Sequence, residues 1–110
     1  AVYDGTNFRN IVASGFTTNA WHQIVGVFNF ATDVMSVYKN GALSSTASLA
    51  GVGQVSNTSP VGIAHRIAYP GAGPEILFKG SVGIVRIYSS DLSAGDVLTN
   101  FNANRGIYGI

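Results

Sequence analysis

The chain has 110 residues, a length typical of one compact domain, and its six basic and five acidic residues leave a formal charge of +1. Without blocks of like charge it lacks the signature of a nucleic-acid binder, and without cysteine it can form neither disulfides nor thiolate metal sites. No apolar run reaches the roughly 20 residues that span a bilayer. Only 10% of the residues are charged, against roughly 25% in average soluble domains, so we expect apolar surface to meet a partner.

Short segments rich in valine, isoleucine, phenylalanine and tyrosine alternate with turn residues, a pattern typical of an all-β fold. The predicted strands are Arg9–Ala13, Trp21–Phe30, Val34–Lys39, Leu43–Ser48, Val61–Arg66, Ile76–Phe78 and Ser81–Tyr88. The sequence NFATDV predicts a tight connection between the second and third strands. Asn40-Gly41 predicts a two-residue hairpin turn, because both residue types tolerate positive φ.

The strand Trp21–Phe30 does not alternate apolar with polar residues, which predicts that both of its faces are covered. One face would meet the core, and the other a neighbouring strand layer or another subunit.

One helix is predicted near the end of the chain. Ser93 is the expected N-cap, Asp96 is placed to complete a capping box, and Leu92 is placed to pack on Val97. Val97 and Phe101, four residues apart, would share the buried face of this helix. The final sequence RGIYGI is predicted to dock as a strand.

Four pieces in this order, AWHQIVGVFN, MSVYKNG, PVGIAHR and FKGSVGIVRIYSSDLSAGDVLTNFNA, resemble the laminin G-like branch of the concanavalin A-like lectin/glucanase superfamily. The match is carried by Trp21, His22, Tyr38, Asn40, Gly41, Phe78, Gly80, Val85, Ile87, Tyr88, Leu92 and Ser93. The resemblance implies an antiparallel jelly-roll β-sandwich with one short C-terminal helix. Relatives often carry polar or acidic residues where this chain has Gly83-Ile84, so a role that depends on acids there does not transfer.

Complete domains of this branch begin well upstream of the aligned residues. We therefore expect residues 1–110 to form a single domain that is either truncated at its N-terminal side, minimal, or completed by a partner. Self-association would cover the open edges and apolar face of an incomplete sandwich.

The acidic residues do not predict an active site. A retaining glycosidase needs two carboxylates about 5 Å apart, and no two acids here fall at strand spacing. Asp91 and Asp96 flank the helix start and are expected to act in the turn and the cap. His22 and His65 are the only imidazoles, and no serine has a nucleophile elbow around it. We predict no catalytic residue.

Two binding sites are considered. The resemblance makes calcium possible, with Asp4, Asn29 and Asp33 as oxygen donors, although Asn29 and Asp33 are better explained as hairpin residues. No metal site or cofactor is predicted.

The irregular stretch AHRIAYPGAGPE combines His65, Arg66 and Tyr69. These side chains would supply ring stacking and hydrogen bonds to a glycan. The alternative is that the stretch is only a rigid connection. Trp21 is expected in the core.

The predicted function is a non-catalytic recognition or structural module that binds carbohydrate and self-associates, outside the cell or on a virion. The ending NFNANRGIYGI resembles the close of laminin G-like domains in structural proteins of tailed bacteriophages and related marine viral sequences. The alternatives are therefore a phage structural protein without glycan binding and a fragment of a glycan-active enzyme. Neither nucleic acid nor a membrane span is expected.

Overall fold

In the computed structural model of the protein, residues 2–53 and 78–110 are described. The chain divides into two compact units, the first comprising Ala1–Val55 with Tyr88–Ile110 and the second Ser56–Ile87. The secondary structure of the described residues lies in the first unit and consists of β1 (Val2–Tyr3), β2 (Phe8–Arg9), β3 (Ile24–Asn29), β4 (Val34–Lys39), β5 (Ala42–Ser48) and α1 (Ala94–Tyr108). No described helix has the length and apolar character needed to cross a membrane.

The described strands form two antiparallel sheets, which confirms the predicted all-β class with a C-terminal helix. β1 pairs with β2, and β3, β4 and β5 form a sheet with β4 in the centre. β4 has the predicted bounds, β5 begins one residue earlier than predicted, and β3 is shorter than the predicted strand at both ends.

Both predicted hairpin connections are confirmed. Asn40 and Gly41 have φ angles of 51° and 78°, so both residues of the two-residue turn between β4 and β5 are left-handed. Asn29 pairs with Val34 across the four-residue connection between β3 and β4, in which Asp33 has φ 55°.

Four further predicted strands differ from the structure or lie outside the described residues. Arg9–Ala13 is wrong in extent, because β2 is limited to Phe8–Arg9. Ser81–Tyr88 is wrong, because residues 81–88 form no strand. Apolar alternation alone supplies no ladder of hydrogen bonds. Val61–Arg66 lies outside the described residues, as does Ile76–Phe78 except for Phe78, which is not in a strand.

The helix begins as predicted and ends later than predicted. The Ser93 side chain accepts a hydrogen bond from the Asp96 backbone N–H, and the Asp96 carboxylate accepts one from the Ser93 N–H, which completes the capping box. The prediction of a strand over RGIYGI is wrong: α1 continues to Tyr108 and ends at Gly109, whose left-handed φ of 67° suits a helix C-cap.

The core lies around the central strand β4, the residues after β5 and one face of α1. Among the described residues the fully buried side chains are Met35, Leu49 and Val97, and Phe101 is 7% exposed. The burial of Val97 and Phe101 confirms the predicted buried face of the helix. A Cβ atom built on Gly41 would lie 2.8 Å from Phe101 Cδ1, so α1 packs directly on the turn between β4 and β5.

Among the described residues no strand layer covers one of the two faces of β3, and cover of that face by another subunit stays a prediction. Ile24 and Phe28 lie on one face and are 49% and 38% exposed, whereas Val25 and Val27 on the other face are half-buried. β4 supplies the buried centre of the sheet, and β3 is its partly exposed margin.

Candidate functional site

The loop that the sequence predicts to bind a glycan contributes none of the described residues. His65, Arg66 and Tyr69 lie outside the described residues, so their role stays a prediction. The candidate surfaces therefore come from the first unit.

Asp4, one of the three residues considered for calcium, holds the N-terminal hairpin. Its Oδ1 accepts hydrogen bonds from the backbone N–H groups of Thr6 at 2.9 Å and Asn7 at 2.6 Å. Its Oδ2 accepts from the Gly53 N–H at 2.9 Å and from Asn7 Nδ2 at 3.2 Å. These bonds, that from the Asn7 backbone first, hold the pKa of the Asp4 carboxyl well below its usual range, because they favour the charged form.

The Asp4 carboxylate therefore ties β1 and β2 to the segment that follows β5. The same connection is reinforced by Asn7 Nδ2, which donates to the Gly51 carbonyl at 2.8 Å, and by Arg9, which donates to the Ala50 carbonyl at 3.2 Å.

The other two calcium candidates shape the connection between β3 and β4. Asn29 Oδ1 accepts from the Thr32 N–H at 2.9 Å, and Asn29 Nδ2 donates to Asp91 Oδ2 at 2.7 Å. The Asp33 backbone carbonyl accepts from the Leu49 N–H at 2.8 Å. Among residues 2–53 and 78–110, no three His, Asp or Glu side chains lie together as a metal site. With the Asp4 oxygens taken up by four hydrogen bonds, these residues do not fit a calcium ion.

The carboxylates at the helix start have structural roles. Asp96 Oδ2 accepts from the Ser93 Oγ–H at 2.6 Å and from the Ser93 N–H at 2.9 Å, and these bonds lower the pKa of Asp96. Asp91 accepts the Asn29 amide. The two acids thus act in the turn and the cap.

The exposed Trp21 forms an aromatic pair with the half-buried Tyr108, which corrects the prediction that Trp21 lies in the core. Their ring centroids are 4.8 Å apart with an interplanar angle of 50°, and the Trp21 side chain is 40% exposed. Trp21 precedes β3, and Tyr108 occupies the last residue of α1. The sequence reasoning missed Tyr108 as a functional candidate, because it assigned RGIYGI to a strand. The spacing of seven residues between Phe101 and Tyr108 could have indicated it, since this spacing places both on one helical face.

The segment before Trp21 is held by a second cluster. His22 Nε2 lies 3.1 Å from the Thr17 carbonyl oxygen, and the Phe16 ring meets the His22 ring edge to face at 5.2 Å between centroids. Lys39 Nζ lies 4.8 Å from the Phe16 ring centroid and donates to the Gly15 carbonyl. Within the described residues, His22 bonds to Thr17 and to no carboxylate, so it has no orienting acid of the kind that a catalytic triad requires.

The fold has a counterpart among solved structures. The crystal structure of an S-layer domain-containing protein (residues 221–444) from Clostridium thermocellum ATCC 27405 superposes with a TM-score of 0.54 at 16% sequence identity. The superposition covers 81% of this chain and 42% of that one, so this chain spans less than half the length of its structural neighbour. At this identity the likeness concerns the fold. No curated protein matches the chain.

The model of one protein family matches residues 1–98, which is most of the chain, and that family is described as the concanavalin A-like lectin/glucanases superfamily, Laminin_G_3. The match agrees with the antiparallel sheets, the hairpin turn at Asn40-Gly41 and the capped C-terminal helix. Membership is consistent with a binding or structural module, while the superfamily also includes glycosidases. The chain therefore belongs to the laminin G-like family of the concanavalin A-like lectin/glucanase superfamily.

Proposed function

We propose that the protein is a non-catalytic recognition module that binds carbohydrate, associates with further copies of itself, and acts outside the cell. The family supports the ligand class, and the structural neighbour, a protein with an S-layer domain, supports a place at a surface. The low content of charged residues supports association.

The aromatic pair Trp21–Tyr108 is the observation that carries the ligand class. An aromatic ring gives a flat apolar surface on which the C–H face of a sugar can stack, and a ring held in place loses little conformational entropy on binding. Trp21 is 40% exposed and its ring is held by Tyr108, whose position is set by the end of α1. The pair thus combines an accessible surface with a fixed orientation.

Three of the four described carboxylates support the non-catalytic part of the proposal. Asp4 is engaged by four hydrogen bonds, Asp91 by Asn29 and Asp96 by the helix cap. The hydrogen bonds at Asp4 and Asp96 lower the pKa of these two carboxyl groups, which makes both acids poor proton donors near neutral pH.

A glycan array with the wild-type chain tests the ligand class, and Trp21→Ala tests the site. We expect binding to a subset of glycans and a loss of affinity of at least about tenfold in Trp21→Ala, with partial retention in Trp21→Phe. Phe8→Ala is the matched control, since Phe8 is 58% exposed in the β1–β2 hairpin. Circular dichroism and thermal melting of each variant separate a lost site from a lost fold.

Each contrary outcome identifies a different error. Normal affinity in Trp21→Ala would move the site elsewhere, and Arg66→Ala and Tyr69→Ala would then test the loop predicted from the sequence. No binding to any glycan would favour the structural role in a virion. Release of reducing sugar from a bound glycan would overturn the non-catalytic assignment.

A further inference from the structure

The backbone of β3 presents an outward row of hydrogen-bonding groups. The Asn40 N–H donates to the Gln23 carbonyl at 3.0 Å, and Asn40 Oδ1 accepts from the Gln23 N–H at 2.9 Å, so the peptide groups of Gln23 face β4. Because the direction of these groups alternates along a strand, those of Val25 and Val27 also face β4. The N–H and C=O groups of Ile24, Gly26 and Phe28 point away from the sheet, and among the described strands none pairs with them.

The outward edge of β3 lacks the features that prevent an exposed strand from pairing with a strand of another chain. Strand edges are commonly protected by charged residues, proline or a bulge. β3, with the sequence IVGVFN, has no charged residue and no proline, and its register with β4 is regular throughout. The other outer strand of the sheet, β5, differs from β3. It carries four hydroxyl side chains, and its register with β4 shifts opposite Val37 and Tyr38.

Exposed apolar side chains lie beside the same edge. Ile24 and Phe28 share a face, and a Cβ atom built on Gly26 would lie 3.6 Å from the Phe28 ring, so this ring leans over the glycine between them. Phe28 is paired directly with the fully buried Met35 of β4. The exposed part of β3 is therefore the margin of an apolar surface that continues into the core.

The sequence of β3 is complementary to itself when two copies run antiparallel. In such a pair, the residues whose backbone N–H and C=O groups point away from β4 must lie opposite one another. Centring the pair on Gly26 places Ile24 opposite Phe28 of the second copy, and Phe28 opposite its Ile24. The three opposed pairs are Ile24 with Phe28, Gly26 with Gly26 and Phe28 with Ile24, and with two backbone bonds each they give about six hydrogen bonds. A β-branched residue opposite an aromatic one is also a favourable cross-strand pair. The glycine at the centre adds no side chain between the copies.

We propose that two copies of the chain pair antiparallel through β3, which joins their three-stranded sheets into one continuous six-stranded sheet. This inference rests on the self-association in the proposed function and assigns a surface to it. The pairing is isologous, as expected for a two-fold dimer, and it satisfies the outward backbone groups and covers the exposed side chains in one contact.

Light scattering coupled to size-exclusion chromatography over a range of concentrations tests the pairing. We expect twice the chain mass for the wild type, and a rise in the dissociation constant of at least about 100-fold in Phe28→Lys, which introduces two lysines into one interface. Leu43→Lys is the matched control, because Leu43 is 56% exposed on β5. It should leave the dimer unchanged.

Amide hydrogen exchange of the wild type gives a second readout that needs no substitution. The amides of Ile24, Gly26 and Phe28 should be protected at high concentration and exchange quickly on dilution, while those of Val25 and Val27 stay protected in both conditions. Protection of all five amides at every dilution would mean that another part of the same chain covers the edge, which overturns the pairing.

The remaining outcomes separate this inference from the proposed function. A dimer that persists unchanged in Phe28→Lys would overturn the β3 surface while self-association stands. A wild type that is monomeric at all concentrations would overturn both the surface and the self-association, and would leave glycan binding to its own test.

Discussion

Asp4 shows how one side chain can connect distant segments. It accepts backbone hydrogen bonds from Thr6 and Asn7 within its own turn and from Gly53 beyond β5. The bonds are to the ionised carboxylate, and the pKa of Asp4 in the folded chain is lowered by them. An unfolded aspartate titrates near about pH 3.9.

The lowered pKa of Asp4 predicts a loss of stability in acid. Since the folded pKa lies below the unfolded one, the contribution of Asp4 is complete well above about pH 4 and is lost as the pH falls through the unfolded pKa towards the folded one. Asp4→Asn should lower the melting temperature at pH 7 and reduce the drop in melting temperature between pH 6 and pH 3. Asp33→Asn is the control, because asparagine also tolerates the left-handed φ of 55° at that position. An equal acid-induced drop in Asp4→Asn and the wild type would contradict the assignment.

At the scale of elements, the turn between β4 and β5 and the helix α1 depend on each other. Gly41 has φ 78°, and a Cβ atom there would lie 2.8 Å from Phe101 Cδ1 and 3.1 Å from Leu98 Cδ1. The turn therefore needs glycine for its backbone angle and for the close approach of the helix.

Gly41→Ala should lower the free energy of unfolding by about 1–3 kcal/mol, through backbone strain together with the close contact to Phe101. Gly106→Ala is the matched control, since Gly106 lies in α1 with no atom within 4 Å of a built Cβ. That change should raise stability by about 0.5–1 kcal/mol, because alanine is the better helix former. Urea unfolding measures both, and a Gly41→Ala variant as stable as the wild type would show that helix and turn are not tightly packed.

At the scale of the whole molecule, the first unit depends on a small set of buried side chains. Met35, Leu49 and Val97 come from β4, from the residue after β5 and from α1, and they are the fully buried side chains among the described residues. A domain of this size is stable by only about 5–15 kcal/mol, so the loss of one such side chain is a large fraction of the total.

Met35→Ala should lower the free energy of unfolding by about 2–5 kcal/mol, because it leaves a cavity in the centre of the sheet. Leu43→Ala removes a comparable side chain that is 56% exposed, and it should cost less than about 1 kcal/mol. Thermal or urea unfolding compares the two. Similar losses in the two variants would mean that the buried centre does not lie on β4.

The sequence by itself determined the features that depend on neighbours in the chain. The turn at Asn40-Gly41, the bounds of β4 and the capping box at Ser93 and Asp96 were all predicted and confirmed, because backbone angles and capping bonds involve residues only a few positions apart. The family could be recognised for the same reason, since these local motifs recur in a fixed order.

Only the tertiary structure decided which surfaces are buried and which segments pair. The length of α1 to Tyr108, the exposure of Trp21 beside it, the hydrogen bonds from Asp4 to Gly53 and the absence of a strand over residues 81–88 all depend on contacts between distant parts of the chain. An apolar segment has the same sequence whether it is buried, paired or exposed. Which of these applies depends on the distant segments that pack against it, and the sequence of the apolar segment does not specify them.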